Sequence, residues 1–115
     1  MVIKVICKEI ECVEGVVRRI LEQEGKFNVG NLKIKVSDLP YDEMSKLDGN
    51  LIIINSVRFR NFSNETGGDS KLVSAYLIVL SLYAIVKDRL ELEKIISNKL
   101  GMDSVEFEVY KILFS

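Results

Sequence analysis

The chain has 115 residues, of which 48% are hydrophobic and 29% are charged, a balance typical of a globular domain with its own core. Its 16 basic and 17 acidic residues give a net charge of −1, so any binding to nucleic acid or to an anionic membrane would be local. The absence of histidine removes the commonest metal ligand and the usual general base near neutral pH, which argues against zinc hydrolases and histidine triads.

Length and cysteine content indicate one domain with a cytoplasmic location. A chain of this size forms a single domain of ordinary dimensions. Two cysteines are too few for a secreted disulfide scaffold, and the residues after Met1 show no signal-peptide pattern. Frequent use of Ile, Lys and Glu suits a thermophilic or AT-rich prokaryote.

The first predicted elements are a strand, a helix and a second strand. Val2–Lys8 is short, alternating and β-branched, which predicts a strand. Glu11–Glu24 has apolar residues at helical spacing and predicts an amphipathic helix that ends at Gly25. Alternation in Phe27–Val36, after a turn dipeptide, predicts a half-exposed strand that belongs to a small hairpin.

The middle of the chain predicts a connector, a buried strand and a polar loop. Ser37–Asn50 is interpreted as a connector in which Tyr41–Leu47 forms a helical turn after the proline. Leu51–Val57 is continuously apolar and β-branched, as in strands buried on both faces. Arg58–Ser70 is polar and rich in Gly and Asn, and it is interpreted as a loop.

An uncharged stretch, Leu72–Val86, predicts a central helix over about residues 70–87. It is shorter than the roughly 20 apolar residues that cross a bilayer, so we do not expect a membrane span. Because it is apolar around nearly its whole circumference, it should be buried nearly all round. Two interpretations follow: a core helix whose serines bond back to the preceding turn, or a helix that also packs against a second copy of the chain.

The last third predicts a helix and a strand. Asp88 followed by Glu91 forms a capping box, which predicts a break near Lys87 and a second amphipathic helix over about 89–100 that stops at Gly101. Val105–Phe114 alternates at first and predicts a strand with a bulge near its middle.

These elements together predict an α+β fold in the β-α-β-β-α-β order of a ferredoxin-like two-layer sandwich. In that topology the first and last strands lie antiparallel, so Lys4 and Lys8 would pair across strands with Glu106 and Glu108.

The segment Arg58–Ser70 is the candidate binding site, for nucleic acid, a nucleotide or another anion. In the first part of the segment, aromatic side chains could stack on unpaired bases while the cations between them contact phosphate. In the last part, glycines before a helix N-terminus offer free main-chain amides to anions. The alternative is structural: the phenylalanines cover the core, and Asp69 or Ser70 is an N-cap. The candidate residues are Arg58, Phe59, Arg60, Phe62, Gly67, Gly68 and Ser70.

No metal or cofactor is predicted. Cys7 and Cys12 would need two further thiolates from a second subunit to hold structural zinc, so buried, unreactive thiols are the favoured interpretation. The acidic residues of the connector match no calcium-loop spacing.

One set of short motifs resembles small zincin-type metallopeptidases. It consists of Leu39-Pro40, Leu47-Asp48-Gly49, a strand ending Ile53-Ile54-Asn55, and Arg58-Phe59 before a helix. In that family the next helix carries HExxH, whereas this chain reads AYLIVLSLY and lacks both the metal ligands and the general base. The resemblance therefore implies a non-catalytic relative.

Three functions stay open on the sequence. The first is an interaction or assembly module that acts as a homo-oligomer or as a subunit of a larger complex. The second is local binding of RNA or of a nucleotide through Arg58–Ser70. The third, ranked last because no catalytic set is recognisable, is an enzyme that uses carboxylates or a bound cofactor.

Overall fold

The structure, a computed structural model, describes residues 7–115. This part of the chain is an α+β fold with five helices and one three-stranded sheet. The predicted fold class is confirmed. In chain order the elements are α1 (Ile10–Glu24), β1 (Lys33–Ser37), β2 (Ser45–Asp48), β3 (Leu51–Asn55), α2 (Ser56–Glu65), α3 (Ser70–Val86), α4 (Arg89–Lys99) and α5 (Val105–Phe114).

The sheet is mixed, with the order β1-β3-β2. β2 and β3 form an antiparallel hairpin, in which Ser45 lies opposite Ile54. β1 runs parallel to β3, with Lys33 opposite Leu51. The alternation predicted for β1 is present, because Leu32 and Ile34 are buried while Lys33 and Lys35 are exposed. Its assignment to a hairpin is wrong, since its only strand partner among the described residues is the parallel β3.

Two side chains of α1 cover the free edge of β1. The N–H of Lys33 points toward β3 and donates to the carbonyl of Asn50, so the N–H of Ile34 points away from the sheet. That N–H donates to Oε2 of the buried Glu14 at 2.7 Å. Nη2 of Arg18 donates to the carbonyl of Leu32 at 3.2 Å. These two contacts satisfy main-chain groups that an open strand edge would offer to another chain.

The predicted central helix is α3, and it is the hub of the core. It packs on β2 and β3 of the sheet, on α1, and on α4 and α5, which also pack on each other. Leu80 and Leu82 are fully buried on different sides of the helix. This chain therefore covers α3 by itself, as expected for a core helix. None of the helices within residues 7–115 is long and apolar enough to cross a membrane.

The buried serines of α3 do not form the back-bonds that the sequence predicts. Ser74 Oγ accepts a hydrogen bond from the N–H of Cys7 at 3.2 Å, which fixes the chain before α1 against α3. Ser45 in β2 donates its hydroxyl to the carbonyl of Leu80 at 2.8 Å. Ser81 Oγ is buried and has no hydrogen-bond partner among the described residues.

The break between α3 and α4 lies at the predicted position. Lys87 adopts a left-handed conformation with φ of 61°. Asp88 then accepts hydrogen bonds from the N–H groups of Leu90 and Glu91, so it is the N-cap of α4. α4 ends just before Gly101, as predicted.

The last element is a helix, and the ferredoxin-like order is therefore wrong. Val105–Phe114 forms α5, whose N-cap Ser104 accepts from the N–H of Phe107 at 3.0 Å. The buried aromatic residues follow helical spacing, at Phe107, Tyr110 and Phe114. This helical pattern, and not the short alternation at the start of the segment, determines its structure. Without a strand here, the pairs predicted for Glu106 and Glu108 cannot form.

Three other local predictions need correction. Residues 41–47 contain a turn followed by β2 and form no helical turn. Most of Arg58–Ser70 is helix α2, which begins directly after β3, so the loop interpretation is wrong. Residues 2–6 of the predicted strand Val2–Lys8, Lys4 among them, lie outside the described part of the chain. Cys7 and Lys8 are described, and they are not in a strand.

The two cysteines are joined in a disulfide, so the prediction of free thiols is wrong. Cys7 lies before α1 and Cys12 in its first turn, and a bend at Lys8 and Glu9 brings the two cysteines together. Their Cα atoms are 5.4 Å apart, a separation that a disulfide spans. The bridge fixes the segment that donates to Ser74.

Candidate functional site

A cleft of about 230 Å³ lies beside the outer face of α2. The connector before β2, the helices α2 and α3, and the end of α5 contribute to its walls. The predicted Arg58 and Phe62 are among the lining residues. We call it the α2–α3 cleft, and it is lined by Tyr41, Arg58, Asn61, Phe62, Glu65, Tyr76 and Leu113.

Asn55, which is fully buried at the end of β3, positions two walls of the cleft. Its Oδ1 accepts from the N–H groups of Val57 at 3.0 Å and of Arg58 at 3.2 Å, and it therefore caps α2. Its Nδ2 donates to the carbonyls of Pro40 at 3.2 Å and Glu43 at 2.9 Å. One side chain thus holds the start of α2 and the connector at fixed positions.

Arg58 and Tyr41 form a stack at the mouth of the cleft. The guanidinium carbon of Arg58 lies 4.8 Å from the centre of the Tyr41 ring. Nε of Arg58 also donates to the main-chain carbonyl of Tyr41 at 2.6 Å. The Tyr41 side chain is 64% exposed, an unusual state for an aromatic ring. The pair therefore places a guanidinium over one face of an exposed aromatic ring.

The inner wall is aromatic. The ring of Phe62 stacks on that of Tyr76 with centroids 4.4 Å apart, and the ring of Phe59 packs against Tyr76 at 6.0 Å. Both phenylalanines are half-buried and pack against the core. This supports the structural interpretation of Phe59 and Phe62 as core cover, and it leaves Tyr41 as the ring with most surface available for stacking.

Tyr76 of α3 contributes a phenol hydroxyl to the lining of the cleft. Tyr76 is only 2% exposed and lines the cleft. Burial raises the pKa of Tyr76 to about 12, while the nearby Arg58 guanidinium acts in the opposite direction. The phenol is therefore neutral at physiological pH and can donate one hydrogen bond and accept others.

The second half of the predicted site has its amides occupied. The N–H of Gly67 donates to the carbonyl of Asn64, and that of Gly68 to the carbonyl of Ser63. Both glycines have positive φ, 65° and 72°, and reverse the chain between α2 and α3. Asp69 caps α3, accepting from the N–H groups of Lys71 and Leu72, in line with the N-cap interpretation. Ser70, the first residue of α3, is exposed.

The structure thus brings Arg58 and Phe62 together but not the whole predicted set. Arg60 is exposed on α2 and is not among the lining residues. Sequence reasoning missed Tyr41 and Tyr76 as site residues. Tyr41 could have been suspected from its place beside the only proline, in a polar connector where an aromatic ring has little to pack against.

The segment that corresponds to the zincin motif helix lies in the core. Residues 75–83 belong to α3, and most of their side chains are buried between the sheet and the other helices. Within residues 7–115, no group of three or more His, Cys, Asp or Glu side chains is arranged to hold a metal ion.

The α2–α3 cleft brings aromatic, charged and hydrogen-bonding side chains together. It combines the exposed ring of Tyr41, the guanidinium of Arg58, an amide and a carboxylate on α2, and the hydroxyl of Tyr76. Comparison of the chain with protein-family models, with curated proteins and with solved structures found no match.

Proposed function

We propose that the protein binds an unpaired nucleobase in the α2–α3 cleft, either in single-stranded RNA or in a free nucleotide. The Tyr41–Arg58 stack carries this proposal, because proteins bind unpaired bases by stacking them on aromatic rings and guanidinium planes. The Tyr76 hydroxyl and the Asn61 amide in the same cleft supply hydrogen bonds to the base edge.

The charge near the cleft supports a backbone contact of modest strength. Arg58 lies at the mouth, and the exposed Arg60 belongs to the same helix. Glu65 lines the cleft as well and repels a phosphate, so the phosphate belongs on the Arg58 side. With a net charge of −1, the protein lacks the basic surface of a strong RNA binder. A dissociation constant of about 10–100 μM at low salt is the expected range.

The test measures fluorescence anisotropy of a labelled single-stranded RNA of about eight nucleotides at low salt. Tyr41→Ala should weaken binding at least about fivefold, the loss of one stacked base, whereas Tyr41→Phe keeps the ring and should change affinity by about twofold or less. Free nucleotides added as competitors distinguish the two ligands: efficient competition identifies a nucleotide site, and poor competition identifies a strand site.

The charge contribution is tested with Arg58→Ala/Arg60→Ala. If both arginines contact phosphate, the dependence of log affinity on log salt should lose a slope of about 1.4. The matched control, Arg19→Ala/Lys94→Ala, removes two exposed cations elsewhere and should leave the slope nearly unchanged. Absence of RNA and nucleotide binding, or equal effects of the two double variants, would refute the proposal.

Self-association is a second candidate, favoured by exposed apolar side chains. Leu90 is 72% exposed, Met102 is 74% exposed and Ile112 is 61% exposed. These side chains, and not the covered helix α3, would form the contact between copies. Size-exclusion chromatography with light scattering tests this function: a monomer at tens of micromolar protein would exclude it.

A further inference from the structure

A second cavity, of about 570 Å³, lies between the first turn of α4 and the end of α5. Its volume falls within the roughly 300–1,000 Å³ of small-molecule sites, although it is widely open to solvent. α5 separates it from the α2–α3 cleft, because Leu113 lines the cleft while Tyr110 and Phe114 line this cavity. We call it the α4–α5 cavity, and its lining includes Arg89, Leu90, Glu93, Tyr110, Lys111 and Phe114.

The floor of the α4–α5 cavity is aromatic and held in place. The rings of Tyr110 and Phe114 lie 5.2 Å apart, and Tyr83 of α3 supports Phe114 from behind at 4.9 Å. The Tyr110 hydroxyl donates to the carbonyl of Arg89 at 2.9 Å, and Nη2 of Arg89 donates to the carbonyl of Phe114. The two helices are thus tied together across the cavity, as in a site formed before its ligand arrives.

Two cations and one carboxylate contribute to the lining of the α4–α5 cavity. The guanidinium carbon of Arg89 lies 5.4 Å from the centre of the Phe114 ring. Lys111 lines the cavity from α5, with its ammonium 5.5 Å from the centre of the Phe107 ring. Neither cation forms an ion pair with another residue in the range 7–115. Glu93 is the one acidic side chain of the lining. One N–H of Arg89 is committed to Phe114, which leaves the rest of its five donors for a ligand.

The remaining wall is apolar. Leu90, near the start of α4, lines the cavity. Its side chain is 72% exposed and does not contribute to the core. A ligand with an apolar body would cover Leu90 and the aromatic floor together. A ligand with one acid group would neutralise Arg89 or Lys111 by a charge-assisted hydrogen bond.

We propose that the α4–α5 cavity binds a small amphipathic carboxylate, with its aryl or alkyl body on Tyr110, Phe114 and Leu90 and its carboxylate on Arg89 and Lys111. This site is independent of the base-binding cleft. One chain forms the whole site. The competing occupant is a second copy of the chain that inserts an apolar side chain into the cavity.

The test compares phenylbutyrate with phenylbutanol, which share the apolar body and differ in the charged group. Amide chemical shifts are followed by two-dimensional NMR at a protein concentration at which light scattering shows a monomer. Phenylbutyrate should shift the signals of α4 and α5 around the cavity and bind about tenfold more tightly than phenylbutanol. Equal affinities, shifts confined to other elements, or no binding of either probe would overturn the proposal.

Single variants distinguish the loss of a charged contact from a loss of folding. Lys111→Met should weaken phenylbutyrate several-fold and leave phenylbutanol unchanged, and this exposed position does not endanger folding. Arg89→Met should act more strongly, although it also removes a contact to Phe114, so its melting temperature is checked first. Lys94→Met, an exposed lysine of α4 outside the cavity, is the control. A Lys94 effect as large as that of Lys111 would also overturn the site. If a dimer forms and phenylbutyrate fails to bind it, the second copy is the occupant.

Discussion

Replacement of Asn55 by alanine tests the organisation of the candidate site most directly. Asn55 makes two separable contributions: it caps α2 through Oδ1 and clamps the connector through Nδ2. Loss of an N-cap costs about 1 kcal/mol. Each of the bonds to Pro40 and Glu43 contributes about 1 kcal/mol. The third contact of Nδ2, to Leu39, measures 3.5 Å and is too long to count.

The sum predicts that Asn55→Ala lowers the free energy of unfolding by about 3 kcal/mol. A domain of this size has a total stability of about 5–15 kcal/mol, so the protein should stay folded but be much weakened. Urea denaturation followed by far-ultraviolet circular dichroism measures the change. At a typical m-value of about 2 kcal/mol/M, the midpoint should fall by about 1.5 M.

Two further variants sharpen the result. Asn55→Asp keeps the capping oxygen but removes both amide donors, so it should lose at least the clamp, about 2 kcal/mol. Asn64→Ala makes the same substitution at an exposed position of α2 and should change stability by less than about 0.5 kcal/mol. A loss below about 1 kcal/mol for Asn55→Ala, or wild-type stability for Asn55→Asp, would refute the reasoning.

Reduction of the Cys7–Cys12 disulfide should lower the free energy of unfolding by about 2 kcal/mol, measured by urea denaturation with and without a reductant, because the bridge restricts the unfolded chain. Titration that finds two free thiols in the unreduced protein would contradict it. Glu14→Ala should cost about 1.5–3 kcal/mol in the same assay, since it leaves the buried N–H of Ile34 without an acceptor, whereas the exposed Glu22→Ala should not. Because burial raises the pKa of Tyr76 from 10.0 to about 12, the folded state holds the phenolic proton more tightly than the unfolded state. Stability should therefore fall as pH rises through this range, and fall less in Tyr76→Phe; parallel curves would contradict the assignment.

The elements that could be predicted from the sequence carry their signals locally. The apolar face of α1, the uncharged run of α3 and the cap at Asp88 each lie within the element that they define. The start of α5 predicts a strand because Val105, Phe107 and Val109 alternate over a few residues. The helical spacing of Phe107, Tyr110 and Phe114 can be recognised only over the whole segment. The N-cap Ser104 is the local signal that distinguishes the two interpretations.

α2 and the cleft could not be predicted, for a different reason. α2 has no fully buried residue, so its sequence lacks the apolar face of a core helix, and its cap Asn55 belongs to the preceding strand. Tyr41 and Tyr76 are far apart in the chain. They meet at the cleft because Asn55 fixes the connector and α3 passes behind it, a tertiary effect without a local pattern.

The central position of α3 also determines when the chain can fold as it is synthesised. α1 is complete at Glu24 and the sheet at Asn55, but the helix on which they pack is complete only at Val86. At a synthesis rate of roughly 5–20 residues per second, the apolar faces of α1 and β3 therefore stay uncovered for several seconds until α3 has been synthesised. The side chains of Glu14 and Arg18, which cover the edge of β1 from a helix that precedes it, can protect that edge during this interval.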